Sequence, residues 1–584
     1  MLNSDSTEKT GDRKMKQIQD AIMEGNYKLA DDQLQDYMRN SAKYDDSLAI
    51  LDAAVGSHYG DRLRVWEAVR KGLMYNCRNY ELYVTLGDYY LQDNSLQSYL
   101  CYENALFYCS DPDDRLLIQS ILTGLQQNYG IFMAKTAIVI RPGASLEHMK
   151  LCVESIRMTT PGSARKIVAA VEPHTNKESL EWLGKQEDIK IVKTEREKSA
   201  GYKVECSDIE GMDIFLLAGD ALLTENALFW LRMGLYEKEK HGMAGCVLNV
   251  RENQQMASGV VDTPDVFAFG EKNNIPQYYP YEERLYFSGT ALLIKRFVWD
   301  QLGPLDQSLG KLKYEDYGLR VLSAGYQNIL CKNSFVMRLE RDPVLEQYIG
   351  YVQVPCAELD QLNEKWGFRA EYYLGIRQDL PGLIAEPKEK ALNILEIGCG
   401  CGAMMGYIRG MFPNARTYGV ELIPEVALIA AHLGEVLCGD IEKMELPWEE
   451  EYFDYVIMGD VLEHLMNPEE VLRKLRKYLK TGGHIIISMP NVKHYSVLLP
   501  LLRWDVFPYG DSGILDRTHV KMYTGTEIHK LVLRSGYKIE TLGYHSYSKP
   551  TEQEQQMLDI LESFLDGPSK ESFLAYQYIL KAVK

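Results

Sequence analysis

Ala391-Leu392-Asn393-Ile394-Leu395-Glu396-Ile397-Gly398-Cys399-Gly400-Cys401-Gly402 decides the fold of the C-terminal part of this chain. Ile394, Leu395 and Ile397 form a short apolar run of the kind that makes a buried strand. The run ends in three glycines spaced by one, Gly398, Gly400 and Gly402. Glycine lets a backbone turn sharply and approach a ligand where a side chain would collide. Met404, Met405, Tyr407 and Ile408 follow as an amphipathic segment, so the loop opens onto a helix N-terminus. Glu396 sets a carboxylate at the strand end. A phosphate-binding loop would avoid that charge. An adenosyl cofactor with a charged amino-acid tail would welcome it.

The same alternation continues outward. Strands are predicted at 392–397, 416–421, 435–438, 453–458, 483–489 and 537–543, forming a doubly wound α/β sheet. Glu421 ends the second strand, about 20 residues beyond the loop, where a carboxylate reaches ribose hydroxyls. Asp440 and Ile441 follow the third strand, where an adenine amino group would sit. Asp460-Val461-Leu462-Glu463-His464 follows the fourth. All four positions lie at carboxyl ends of strands, where such sheets bind ligands. A nicotinamide-type loop would be spaced Gly-x-Gly-x-x-Gly, unlike this Gly-x-Gly-x-Gly.

These residues resemble the class I S-adenosylmethionine-dependent methyltransferases over about 370–545, and are closest to the ubiquinone and polysaccharide O-methyltransferases. Met489-Pro490-Asn491-Val492 and Leu515-Asp516-Arg517-Thr518-His519 are similar to a subgroup associated with cell-surface polysaccharides. The resemblance implies S-adenosyl-L-methionine bound by Glu396, Gly398, Gly400, Gly402, Glu421, Asp440, Ile441 and Asp460. A hydroxyl acceptor needs a base. His464 is the candidate, and His519 with Asp516 could act from a lid loop. The alternatives stay open: His464 as an orienting group, Asp516–Arg517 as a loop-closing ion pair. Pro490 and Asn491 are expected to shape the pocket wall.

Residues 14–130 read as all-helical, with turn signals at Gly25-Asn26, Gly60-Asp61 and Asp93-Asn94, a period of roughly 34 residues. Tyr83-x-x-Leu86-Gly87-x-x-Tyr90, continued by Ser98, Tyr102, Ala105 and Pro112, resembles a tetratricopeptide repeat. An unrelated helical bundle is the alternative. Such repeats imply a protein partner.

Residues 134–340 alternate short β-branched runs (136–140, 166–171, 189–192, 214–217) with helical patterns, which argues a parallel α/β sheet. This part resembles GT-A glycosyltransferases of family 2. Asp220, after Ile214–Gly219, takes the place of the metal-binding acid, for Mg2+ or Mn2+ with a nucleotide-sugar donor. Phe287–Ile294 matches the acceptor-side strand, and Asp316 in Tyr314–Arg320 the base. Glu315-Asp316 reads equally as a helix cap. The segment departs from the family at Ala218-Gly219, at Val171-Glu172-Pro173-His174 and at Arg196–Gly201. An inactive glycan-binding module is therefore the alternative. Residues 341–390 read as a helical linker and 391–584 as the methyltransferase domain.

The chain has 584 residues, enough for about three or four domains. Its net charge of −19 argues against a nucleic-acid surface. The start of the sequence is polar, without a signal-peptide core, and no apolar run approaches the ~18 residues of a membrane span. Its 11 cysteines are scattered without zinc-type pairing, which fits a reduced, cytoplasmic protein, with the inner membrane face as the alternative. The expectation is a bifunctional enzyme: a helical region recruits a glycan or glycosylated acceptor, and two catalytic domains act on it in turn.

Overall fold

The computed structural model describes residues 4–40, 44–143, 145–173, 175–193, 209–251, 253–260, 265–340, 356–565 and 571–584. They fall into two compact units, Met1–Glu358 and Leu359–Lys584.

The first unit begins with seven helices: α1 (Ser4–Met23), α2 (Tyr27–Asn40), α3 (Asp46–His58), α4 (Arg62–Tyr75), α5 (Tyr80–Leu91), α6 (Ser95–Tyr108) and α7 (Pro112–Tyr129). The three turn signals fall in the α1–α2, α3–α4 and α5–α6 connections. Asp45, Asp61, Asn79, Asn94 and Asp111 cap helix starts by accepting first-turn N–H groups. Gly87 is glycine for packing. A Cβ there would lie 2.8 Å from the Tyr102 ring, and Ser98 Oγ donates to Gly87 O at 2.8 Å.

The first three helices pack a small core of their own, with Ile18, Ala30, Leu34 and Val55, while the later ones share theirs with the α/β part. Helix Ala227–Leu235 puts Phe229, Trp230 and Met233 among Tyr83, Leu86 and Tyr102. Polar contacts join the same surfaces. Arg78 donates to buried Glu225 at 2.7 Å, Asn104 to Asn226 at 3.1 Å, and Gln97 to the Met233 carbonyl at 2.9 Å. The Tyr83, Leu86 and Tyr102 positions of the repeat pattern are buried in this shared core.

That part contains β1 (Thr136–Arg141), β2 (Arg165–Val171), β3 (Ile189–Lys193), β4 (Asp213–Ala218), β5 (Ala221–Leu223), β6 (His241–Leu248), β7 (Tyr281–Arg284), β8 (Ala291–Ile294) and β9 (Gln327–Arg338). The sheet order is β3-β2-β1-β4-β8-β6-β9-β5, with β7 also on β9. It is mixed, not parallel. β3, β2, β1 and β4 run parallel, but β8 is antiparallel to β4 and β6, and β5 and β7 are antiparallel to β9. The predicted acceptor strand 287–294 is a strand only at 291–294. Residues 314–320 lie in helix Lys313–Ser323. His174 and the 196–201 turn lie outside the described residues.

The second unit contains β10 (Asn393–Ile397), β11 (Arg416–Glu421), β12 (Glu435–Cys438), β13 (Phe453–Gly459), β14 (Leu479–Pro490), β15 (Lys538–His545) and β16 (Gln577–Val583). Their order is β12-β11-β10-β13-β14-β16-β15. β16, not anticipated from sequence, inserts antiparallel between β14 and β15. Alternate residues of β10 and β13 feed two cores: Leu395, Ile397, Val456 and Met458 on one face, Ile394, Tyr455 and Ile457 on the other. Within the predicted linker, helices form at Cys356–Trp366 and Ala370–Tyr373; residues 341–355 lie outside the described part. Among the described residues no helix is long and apolar enough to cross a membrane.

Candidate functional site

The site lies at the carboxyl ends of β10, β11, β12 and β13. Gly398, Gly400 and Gly402 all have left-handed φ, +69°, +55° and +82°. A Cβ on Gly398 would lie 2.8 Å from Val461 Cγ2, and one on Gly400 3.0 Å from the Tyr373 carbonyl oxygen. These two glycines are therefore required by backbone conformation and by packing inside the protein as well as by any ligand. Tyr373 O also accepts the N–H of Cys401 at 3.0 Å, so residues ahead of β10 buttress the loop.

Glu421 organises this corner. Its Oε2 accepts the N–H of Gly400 at 2.9 Å, and its Oε1 accepts those of Leu422 and Ile423 at 2.8 and 3.0 Å. Glu396 is 6 % exposed, and its Oε2 lacks a hydrogen-bond partner. Burial, reinforced by the Glu421 charge, holds its carboxyl well above the usual range. A buried carboxylate with an unused oxygen beside a second carboxylate calls for a cationic or donating ligand.

Asp440 is half-buried and accepts Glu442 N–H at 2.9 Å; Lys443 lies 2.8 Å from its other oxygen and holds its pKa low. Ile441 is buried beside it in the sheet core. Asp460, at φ +55°, is fastened by Arg377 at 2.6 Å and by Ser488 Oγ at 3.1 Å, and accepts from Gln577. Arg377 also forks onto Asp379 at 2.9 and 2.7 Å. Sequence inspection missed Arg377, Asp379 and Gln577. None of them sits in a recognisable motif, and Gln577 opens the unanticipated strand.

The candidate bases come together. The rings of His464 and His519 lie 4.8 Å apart, edge to face. His464 Nδ1 lies 3.2 Å from the carbonyl oxygen of Thr518. A carbonyl only accepts, so Nδ1 carries the proton and Nε2 presents a lone pair. Burial, with the neighbouring His519, keeps the His464 pKa low and the ring neutral. His519 Nδ1 is held by Ile514 O at 2.9 Å. Glu463, quoted from the sequence without a role, is fully buried, with neither oxygen hydrogen-bonded and His519 Nε2 3.9 Å from Oε1; burial, then Asp460, raises its pKa strongly. Glu463, His464 and His519 each offer one ligand atom, all within 4.8 Å of one another, a spacing that could also hold a divalent cation.

The loop residues are mainly structural. Asp516 is 3 % exposed, accepts from Thr518 N and Oγ1 at 2.8 and 2.6 Å, and receives the Tyr372 hydroxyl. Arg517 makes an exposed ion pair with Asp511 at 3.0 Å. Asn491 is fully buried and ties down Ser572 O and Ala575 O, so it anchors the chain leading into β16 rather than lining a pocket.

In the first unit the two carboxylates read as glycosyl-transfer residues are each paired with an arginine. Asp220 is 6 % exposed, with Arg338 Nε 3.0 Å from its Oδ2, so a guanidinium sits where a metal ion was expected. Asp316 is fully buried and paired with Arg320 at 2.9 Å. Its neighbour Glu315 instead has an unpartnered Oε2 and a pKa pushed up to about 8 by burial.

Residues 366–542 match the family described as a methyltransferase domain. The chain is 31% identical over 106 residues to a malonyl-[acyl-carrier protein] O-methyltransferase of Bacillus cytotoxicus, covering 17% of this chain and 36% of that protein. It is 30% identical over 135 residues to a sterol 4-C-methyltransferase of Caenorhabditis elegans, covering 20% and 39%. The chain thus spans less than half the length of these relatives. Among solved structures, an S-adenosylmethionine-dependent methyltransferase from Mesorhizobium loti aligns with a TM-score of 0.24 and 17% identity, over 34% of this chain and 94% of that one. Residues 366–542 thus match a methyltransferase domain. The cofactor implied, S-adenosyl-L-methionine, fits the residues present: the unpartnered Glu396 oxygen suits its cationic tail, and the left-handed glycine loop leaves backbone at the strand ends.

Proposed function

We propose that the methyltransferase domain O-methylates a sugar hydroxyl, with His464 as the base. One arrangement carries the reading: His464 stands after β13 with Nδ1 turned to Thr518 O and Nε2 free to take a proton. Bound at the glycine loop, S-adenosyl-L-methionine supplies an electrophilic methyl carbon. Glu396 and Glu421 would hold its charged tail and ribose, and Asp440 with Ile441 would face its adenine. Asp460 is locked by Arg377 and Ser488 at the end of β13. His464 Nε2 removes the hydroxyl proton, and its neutral ring is ready to do so at pH 7. The choice of a sugar rests on the resemblance of Leu515–His519 to polysaccharide-linked enzymes and on the glycosyltransferase-like first unit.

For the first unit, the Asp220–Arg338 and Asp316–Arg320 pairs favour a glycan-binding module over a metal-dependent glycosyltransferase. Two assays test the whole reading. Radiolabelled methyl should pass from S-adenosyl-L-methionine to oligosaccharides and not to quinols; the reverse would overturn the sugar assignment. UDP-, GDP- and dTDP-sugars with Mn2+ should release no nucleotide. Release abolished by Asp220→Ala would restore the glycosyltransferase.

A further inference from the structure

Far from β10 in sequence, the first unit contains a cavity of about 290 Å3 that none of the chemistry above uses. One wall comes from the N-terminal helices, with Trp66 on α4 and Tyr89 on α5. The other comes from the α/β part, with Trp230, Tyr278 and Asn333. Its volume falls near the lower end of the range for small-molecule sites, ~300–1,000 Å3.

Three observations say what it would hold. First, flat rings dominate its walls, and Trp66 lies against Tyr278 with ring centroids 4.4 Å apart. Aromatic faces suit the C–H faces of a ring-shaped ligand. Second, Asn333 lines the cavity at 0 % exposure, and neither end of its side-chain amide has a hydrogen-bond partner. A buried amide left unpaired costs stability, so a ligand that both donates and accepts is the natural complement. Third, the lip is strained. Tyr279, 38 % exposed between Tyr278 and Pro280, is held at φ +51°, a left-handed conformation rare for a bulky residue and typical of ligand clamps.

Other ligand classes fit less well. No lysine or arginine lines the cavity, so nothing there receives a phosphate or carboxylate. A purely apolar ligand would leave Asn333 unpaired. Glu237 is the one carboxyl in the lining, and burial raises its pKa and so favours its neutral form; a quaternary ammonium also has no donor or acceptor for the Asn333 amide, and two of the rings already face guanidinium groups, Arg62 4.3 Å from the Tyr89 ring centroid and Arg70 5.9 Å from that of Tyr278.

We infer that this cavity between the N-terminal helices and the α/β part binds a neutral sugar ring, stacked on Trp66 and hydrogen-bonded by Asn333. It gives the glycan-binding reading of the first unit, on which it rests, a specific location, and it is independent of methyl transfer. The test is saturation-transfer NMR on the full chain with three probes, methyl β-glucopyranoside, methyl α-mannopyranoside and methyl N-acetyl-β-glucosaminide, with choline run in parallel. At least one glycoside should receive saturation at its ring C–H protons. Asn333→Ala and Trp66→Ala should each weaken that glycoside at least tenfold while leaving S-adenosyl-L-methionine affinity unchanged by calorimetry. Trp66 is only half-buried, so its variant serves if Asn333→Ala fails to fold. Binding of choline alone, of no glycoside, or of a glycoside equally well by both variants would overturn the inference. If a glycoside binds equally well in both variants, a glycan-binding first unit survives without this site. Intact cofactor binding in the same samples would separate any of these failures from a failure of the methyltransferase reading.

Discussion

Glu421 Oε2 accepts the backbone N–H of Gly400 at 2.9 Å, so the acid closing one strand holds the glycine loop closing its neighbour. The same carboxylate is the predicted ribose partner. Loop shape and the proposed cofactor contact would then pass through one side chain. Glu421→Ala should weaken S-adenosyl-L-methionine binding about tenfold to a hundredfold, the equivalent of ~1.5–3 kcal/mol for hydrogen bonds to a charged group. Glu421→Gln, which keeps one accepting oxygen, should lose less. Calorimetry on the two variants checks the order; equal affinities would remove Glu421 from the site.

Gly400 faces two separate penalties. Its φ of +55° costs a side-chain-bearing residue ~1–2 kcal/mol, and a Cβ would press on Tyr373 O at 3.0 Å. Gly400→Ala should lower the melting temperature by about 2–8 °C and weaken cofactor binding. Gly400→Val should abolish binding. Unaltered affinity in a folded Gly400→Val protein would mean the cofactor sits elsewhere.

His464 carries the proposed chemistry, and its ring is held by Thr518 O and His519. His464→Ala should lower kcat by about a hundredfold or more with cofactor affinity almost intact. Turnover at the wild-type rate would leave the histidine an orienting role only.

Glu315 makes a prediction about pH and stability. Burial raises its folded pKa from 4.5 to about 8. The folded state therefore keeps a proton that the unfolded state releases between those values. Its contribution is fully present below about pH 4.5 and is lost as pH rises toward 8, at up to ~1.4 kcal/mol per unit. Urea unfolding at pH 5, 6.5 and 8 should show this decline, and Glu315→Gln should flatten it. An unchanged slope in the variant would assign the decline to other groups.

Local pattern made much of the second unit legible. Ile394, Leu395 and Ile397 could form only a buried strand, and the glycines after them only a tight loop. The acids Glu421, Asp440 and Asp460 follow β-rich runs, which puts them at strand ends whatever the details. The pairing of His464 with His519 was harder to see, since 54 residues separate them and only the closing loop brings them together. Arg377, Asp379 and Gln577 carried no signal, because an ion-pair network has no periodicity. β16 escaped because its place between β14 and β15 depends on long-range antiparallel pairing.

The first unit was read least well where charge pairing outranks motif. Asp220 and Asp316, read from their motifs as metal ligand and base, are each paired with an arginine, one distant in sequence and the other one helical turn away. The sequence by itself determined the alternation of strands and helices, the glycine loop and the order of acids along the strands, because these depend on periodicity and backbone conformation within short windows. Only the tertiary structure decided which carboxylates are free, which are neutralised, and that the later N-terminal helices share a core with the α/β part. Burial and ion pairing are set by residues that meet only after the chain has folded.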